Sequence, residues 1–248
     1  MPDVNARPVV LVTGAARRIG AAIARTLHAA GYDLALHCRH SRADLDVLLA
    51  ELEAARPRST LALQAELADI ERLPALVDAV LARFGRLDGL VNNASAFDAT
   101  PFGTITAAQW DALFAANACA PLFLAQAAAP HLAERDGAIV NLVDIYAERP
   151  LARHSVYCMT KAALVMATRA LALELGPRVR VNAIAPGNVL WSTNEVKAET
   201  PATVERHTTL GRQGSPGDVA AAVLFLLRDA GYCSGVILPV DGGRLLHI

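Results

Sequence analysis

The chain has 248 residues, a formal net charge of -1 and a pI near 6.7, so its overall charge recruits neither nucleic acid nor an anionic membrane, and small partners are expected. Hydrophobic residues make up 54% of it but aromatics only 5%, which favours closely packed helices on a sheet over an aromatic-rich β-sandwich. No secretory leader pattern opens the sequence and no run approaches the roughly 18 apolar residues of a spanning helix, so a cytoplasmic protein without a membrane anchor is expected.

Short aliphatic runs alternate with longer Ala- and Leu-rich segments of helical period, which marks βαβ units on a parallel sheet. Strands are predicted at 9–13, 33–37, 60–64, 87–92, 138–143, 178–184 and 235–240. Helices are predicted near 18–30, 44–55, 70–84, 106–133, 155–176 and 216–228, the last opened by the start signal SPGD. The fold class is therefore α/β, a Rossmann-type doubly wound parallel sheet of seven strands with helices on both faces. With no linker or composition shift, residues 1–248 read as one domain. The polar stretch 188–215, which holds Trp191, breaks the alternation and reads as a substrate loop.

The first strand runs into TGAARRIG (13–20), a glycine loop in the strand-to-helix context that a dinucleotide fingerprint requires. A helix N-terminus offers free amides and partial positive charge to a pyrophosphate. Gly14 permits the tight turn and Gly20 the close approach of helix to strand. Arg18 stands where many such loops carry a middle glycine, and its guanidinium is expected to turn outward to a phosphate or the substrate.

After the second strand come His37, Cys38, Arg39, His40 and Ser41. An enzyme preferring NAD usually places an acid at this turn, whereas a cation and a hydroxyl suit a 2′-phosphate, so NADPH is predicted. His37 and His40 stand three apart, but no further Cys/His cluster completes a tetrahedral site, and no metal is expected. Cys38, Cys119, Cys158 and Cys233 are scattered without a C-x-x-C pair and read as reduced thiols.

Asp144 sits just past the fifth strand, thirteen residues before Tyr157, and Tyr157 and Lys161 stand four apart and so on one helix face. A tyrosine beside a lysine suits proton donation, but a reductase acting on a carbonyl would want a neutral donor where Asp144 lies. An ionised aspartate cannot donate, and its charge opposes an alkoxide. A nitrogen heterocycle is different, because a carboxylate can accept from its N–H groups. If enclosure raises its pKa, the carboxyl can also relay a proton through Tyr157.

TGAARRIG, NNAS (92–95), Asn117, YCMTK (157–161), RVNAIAPG (180–187) and VDGG (240–243) together resemble the short-chain dehydrogenase/reductase family over essentially the whole length. Within it the chain looks most like the pteridine reductases, on Arg18, LHCRHS after the second strand, NNASAF (92–97) and Asp144 in place of the usual serine. The resemblance implies NADPH held by Gly14, Arg18, Ile19, Gly20, Arg39, His40, Ser41, Glu66, Leu67, Asn93, Ala94, Ser95, Tyr157, Lys161, Pro186 and Gly187. Glu66 departs from the aspartate usual near the adenine.

It implies catalysis by Asp144, Tyr157, Lys161 and Asn117, with Tyr157 as proton donor. An ammonium on Lys161 is expected to favour the phenolate, and Asn117 to keep a water chain to Lys161. A pterin would meet Arg18, Ser95, Phe97, Asp144, Tyr157 and Trp191, with Phe97 stacked on one face. Dihydromonapterin, dihydrobiopterin and dihydrofolate are the substrates considered, and a homotetramer is expected, with helices 106–133 and 155–176 across subunits. A 3-oxoacyl-thioester or small-ketone reductase and a non-catalytic NADPH-binding regulator are the competing readings.

Overall fold

The computed structural model describes residues 7–189 and 201–247. Seven strands, β1 (Val9–Val12), β2 (Asp33–Cys38), β3 (Thr60–Gln64), β4 (Gly89–Asn92), β5 (Ala138–Leu142), β6 (Arg180–Pro186) and β7 (Ile237–Val240), form one parallel sheet. Their order is β3-β2-β1-β4-β5-β6-β7. The chain thus winds outward one way from β1 and the other way from β4. At that reversal the connections leave to opposite faces, and a crevice opens beyond the carboxyl ends of β1 and β4.

The helices are α1 (Arg18–Ala29), α2 (Arg42–Ala55), α3 (Leu73–Phe84), α4 (Ala107–Phe114), α5 (Ala120–Ala133), α6 (Ser155–Leu175), α7 (Pro201–Arg206) and α8 (Pro216–Arg228). Strand periodicity sorts the two cores. Val10 and Val12 face α1, α2 and α8, whereas Val9 and Leu11 face α3 and α5. Each fully buried leucine, such as Leu11 or Leu34, contributes about 2 kcal/mol of transfer free energy. Ser215 starts α8 with a reciprocal capping box to Asp218, as SPGD predicts.

The structure departs from the sequence reading in three helical places. The stretch 70–84 begins as a 3-10 turn (Ile70–Arg72) before α3, with Pro74 in the first turn, where its missing N–H is harmless. The stretch 106–133 is not one α-helix: α4 and α5 are joined by a π-helical turn over Ala115–Cys119. Pro121 has no N–H to offer the Asn117 carbonyl four residues back, which accounts for the break in the α-helical ladder there. Within 188–215, expected to be irregular, residues 201–206 form α7.

The segments Ala107–Ala133 and Ser155–Leu175 are long and apolar enough to cross a membrane by length and composition, which the sequence reading did not anticipate. Both flank the sheet, with 39% and 44% of their apolar windows buried, and α5 fills a core with Leu124, Ala125, Ala128 and Leu132.

Candidate functional site

The glycine loop is shaped by contacts that forbid side chains. Gly14 has φ +62, and a Cβ there would lie 2.9 Å from the Ala94 Cα; a Cβ on Gly20 would lie 2.1 Å from the Gly14 carbonyl oxygen. Arg18, the first residue of α1, has φ +54, the left-handed region that glycine adopts freely and arginine does not. Arg18 is exposed and is one of the residues lining a cleft.

Two side chains hold this loop against β4. The Asn93 amide donates to the carbonyls of Thr13 (2.9 Å) and Gly14 (3.0 Å), and the Thr13 hydroxyl accepts the N–H groups of Asn93 and Ala94, each at 3.0 Å. A third tie is His37, 1% exposed: its Nδ1 accepts the Gly14 N–H at 3.4 Å, and its Nε2 lies 3.1 Å from the Ala65 carbonyl oxygen. These bonds are consistent with a neutral ring donating from Nε2. Burial pushes its pKa below 6.5.

The loop opens onto a cleft of about 460 Å³, lined by Gly14, Arg18, Ile19, Gly20, Arg39, His40, Ser41, Glu66, Leu67, Asn93, Ala94 and Ser95 among others. Twelve of the residues assigned to the cofactor thus share one cavity. Pro186 ends β6 and Gly187 follows it, packed so closely on Asp241 that a Cβ would lie 2.8 Å from the Asp241 Cα. The cation at the β2 turn is not free: Arg39 pairs with Glu66 at 2.5 Å, both side chains exposed. Glu66 therefore meets an arginine rather than standing alone at the adenine position.

Beyond β5 the chain turns through Asp144, whose Oδ1 accepts the Tyr146 N–H at 2.9 Å and caps a 3-10 turn. Its Oδ2 accepts the Tyr157 hydroxyl at 2.7 Å. Part of the residue's surface stays exposed, yet the carboxyl itself is enclosed, and burial raises its pKa above the ordinary 3.8 against the opposing pull of Tyr146, Tyr157 and Lys161. Tyr157 is 4% exposed. Burial first, then the Asp144 charge, push it well above 10.

Lys161 is enclosed as well. It is 2% exposed, its ammonium lies 5.7 Å from the Tyr157 ring centre, and it donates to the Leu142 carbonyl at 2.9 Å. Burial pushes its own pKa down to about 8, partly offset by Asp144.

Asn117, fully buried in the π turn, spends its whole amide on neighbours. It donates to the Ala96 carbonyl (2.9 Å) and the Thr160 hydroxyl (3.1 Å), and it accepts from the Ala96 N–H (2.8 Å) and the Ser95 hydroxyl (3.1 Å). A water chain toward Lys161 therefore cannot start from this amide, which has no hydrogen-bonding capacity left. Phe97 stands beside this network, edge-on to Tyr157 with ring centres 4.7 Å apart and stacked on His154 at 4.7 Å.

Contacts thus link Asp144, Tyr157, Lys161 and Phe97 into one cluster and Asn117 to Ser95, and of these six only Ser95 lines the cleft itself, while Trp191 lies outside the described residues. The sequence reading missed Thr13, the structural work of His37, Thr160 and His154. Only the last two had a visible signal, their helical spacing around Tyr157.

The comparisons with known proteins agree with this architecture. A family model described as Enoyl-(Acyl carrier protein) reductase matches residues 14–244. Pteridine reductase 1 of Leishmania tarentolae is 38% identical over 281 residues, covering 96% of each chain. L-xylulose reductase of Homo sapiens is 37% identical over 241 residues, covering 94% of this chain and 95% of that protein. The 3beta-hydroxysteroid dehydrogenase 1 of Eggerthella lenta is 34% identical over 245 residues, covering 96% and 94%.

Proposed function

Because the chain belongs to the short-chain dehydrogenase/reductase family, we propose that it is an NADPH-dependent reductase that converts a dihydropterin to the tetrahydro form. The observation that carries this reading is the Asp144–Tyr157 hydrogen bond of 2.7 Å in a wall that also holds Phe97. Both Asp144 oxygens act as acceptors, an arrangement that suits substrate N–H groups and opposes an alkoxide. The similarity to pteridine reductase 1 supports the same substrate class.

The cofactor fits the residues present. The N-terminal amides of α1, the close-packed Gly14 and Gly20, and the cationic turn Arg39–His40–Ser41 suit a pyrophosphate and a 2′-phosphate. When bound, NADPH supplies the hydride, delivered to ring carbon C6. Tyr157 supplies the proton to N5, and Asp144 hands it a replacement, since a carboxyl with a raised pKa exchanges protons more readily near neutrality. Lys161 would hold the nicotinamide ribose from its place 5.7 Å from the Tyr157 ring centre. Phe97 would offer one face to the flat substrate, which would cut the entropy of alignment.

The protein is further proposed to be a cytoplasmic homotetramer. The outer faces of α4, α5 and α6 leave Trp110, Phe123, Met166 and Leu173 exposed, and all four cysteines are free thiols.

The similarity to L-xylulose reductase favours a second reading, reduction of a small ketone. The deciding experiment follows NADPH oxidation with dihydrobiopterin, dihydromonapterin and dihydrofolate beside an acetoacetyl thioester and xylulose, for wild type and Asp144→Ser. Rapid pterin turnover that collapses in the variant supports the proposal. Turnover of carbonyl compounds alone replaces it with the second reading, and no turnover of any of them favours the non-catalytic regulator.

A further inference from the structure

The turn that leads into α6 carries features that the proposed chemistry leaves unused. Arg153 holds φ +66, a left-handed conformation rare outside glycine. His154 follows it and is only 2% exposed. Its Nδ1 lies 3.0 Å from the Ala152 carbonyl oxygen, a bond it can only donate, and its Nε2 is buried without a hydrogen-bond partner among the described residues. A buried ring nitrogen without a partner is costly, and an apolar side chain would fill the same space without it.

What the imidazole provides is a flat ring whose plane is set by a hydrogen bond. That ring lies against Phe97, with centres 4.7 Å apart and planes 17° from parallel, and Phe97 in turn meets Tyr157 edge-on. The neighbouring backbone repeats the attachment. Thr100 donates its N–H to the Arg153 carbonyl at 2.6 Å, its hydroxyl accepts the Val156 N–H at 3.4 Å, and it pairs with His154 as an isolated parallel bridge. The segment after β4 is therefore fastened to the start of α6 at two points, by backbone at Thr100 and by aromatic contact at Phe97.

We infer that His154 is a positioning residue: its anchored ring is the backstop that fixes the plane of Phe97 relative to the Tyr157 hydroxyl. A substrate aligned on Phe97 then meets Tyr157 in one geometry. Without the backstop, Phe97 swings and the loop from Ser95 to Thr100 loosens, although nothing that touches the cofactor has been removed.

Two measurements test this on the full-length protein. The first is hydrogen exchange of the amides of residues 95–100 in wild type, His154→Ala and His154→Phe. Exchange there rises about tenfold in His154→Ala while β1, β4 and β5 keep their protection, and His154→Phe, which retains a flat ring, restores most of it. The second measurement rests on the pterin reading: the KM for dihydrobiopterin rises about tenfold in His154→Ala while the NADPH dissociation constant stays as in wild type.

Unchanged loop exchange in His154→Ala overturns the inference, as does a His154→Phe variant as loose as the alanine variant. An equal loss of NADPH affinity overturns it too, because that would mark a general structural defect. Should His154→Ala not fold, His154→Asn keeps a donor for Ala152 and removes the stack, and the same readings apply. If wild type reduces no pterin, the substrate reading fails, and the exchange measurement alone decides the role of His154.

Discussion

Tyr157 donates its hydroxyl proton to Oδ2 of Asp144 across 2.7 Å, and the two residues hold each other's protonation in place. The carboxylate opposes a phenolate beside it, and burial opposes charge on either group, so both pKa values lie above their ordinary ranges. A tyrosine held protonated this firmly is a donor in reserve rather than a standing base.

Replacing Asp144 separates these effects. Asp144→Asn should reduce kcat for a dihydropterin about 100-fold, equivalent to about 2.7 kcal/mol of transition-state stabilisation. The tyrosine should then titrate nearer its ordinary value, which ultraviolet titration against Tyr157→Phe would detect. Wild-type turnover in the asparagine variant would remove Asp144 from the chemistry.

Lys161 sets the alkaline behaviour. Its ammonium is lost at about 8, so kcat/KM should fall as pH rises through that value, and Lys161→Arg, charged at every accessible pH, should lack that limb. The stability effect has the opposite sign. A lysine whose folded pKa lies below its unfolded 10.5 disfavours the folded state while it is protonated, and that cost is relieved as pH climbs from about 8 to 10.5. The displacement is worth about 3 kcal/mol. Melting temperatures of wild type relative to Lys161→Met should therefore improve across that window, and a difference independent of pH would contradict the assignment.

Arg39 and Glu66 compete for the same charge. Since Glu66 holds Arg39 at 2.5 Å, Glu66→Gln should release the guanidinium and tighten NADPH about threefold at low salt, the scale of an exposed ion pair. Arg39→Asp should weaken NADPH about 100-fold and leave NADH nearly unaffected. Isothermal titration with both cofactors checks the pair, and equal losses for the two would show that the turn does not read the 2′-phosphate.

Arg18 holds a conformation that costs an L-residue about 1–2 kcal/mol. Arg18→Gly relieves this strain but adds unfolded-state entropy worth about 0.5–1 kcal/mol, so a small net gain in stability is expected. Activity should move the other way, with weaker substrate and cofactor binding. A lower melting temperature together with unaltered KM values would show that the arginine serves the fold.

Much of the architecture is legible in one dimension because strands and helices bury faces at fixed periods. The unbroken apolar run in VVLVT announces a strand with two buried faces, and the observed β1 sends Val10 and Val12 to one core and Val9 and Leu11 to the other. TGAARRIG is likewise a local signal, since the turn, the close approach at Gly20 and the start of α1 all fall within eight residues. Where local patterns misled, a single residue decided: Pro121 accounts for the π turn that periodicity alone reads as uninterrupted helix.

By itself, then, the sequence determined the α/β class, the seven strands, the glycine loop and the shared helical face of Tyr157 and Lys161, because backbone geometry sets each within a few turns of chain. Only the tertiary structure decided that Asp144 meets Tyr157, that Phe97 rests on His154, that Glu66 engages Arg39 and that Asn117 is spent on the loop beside it. Those pairs join separate elements, and their distances follow from how helices settle on the sheet. The same packing withdraws water from Asp144, Tyr157 and Lys161, and that loss of solvent, which no residue spacing records, moves their proton affinities.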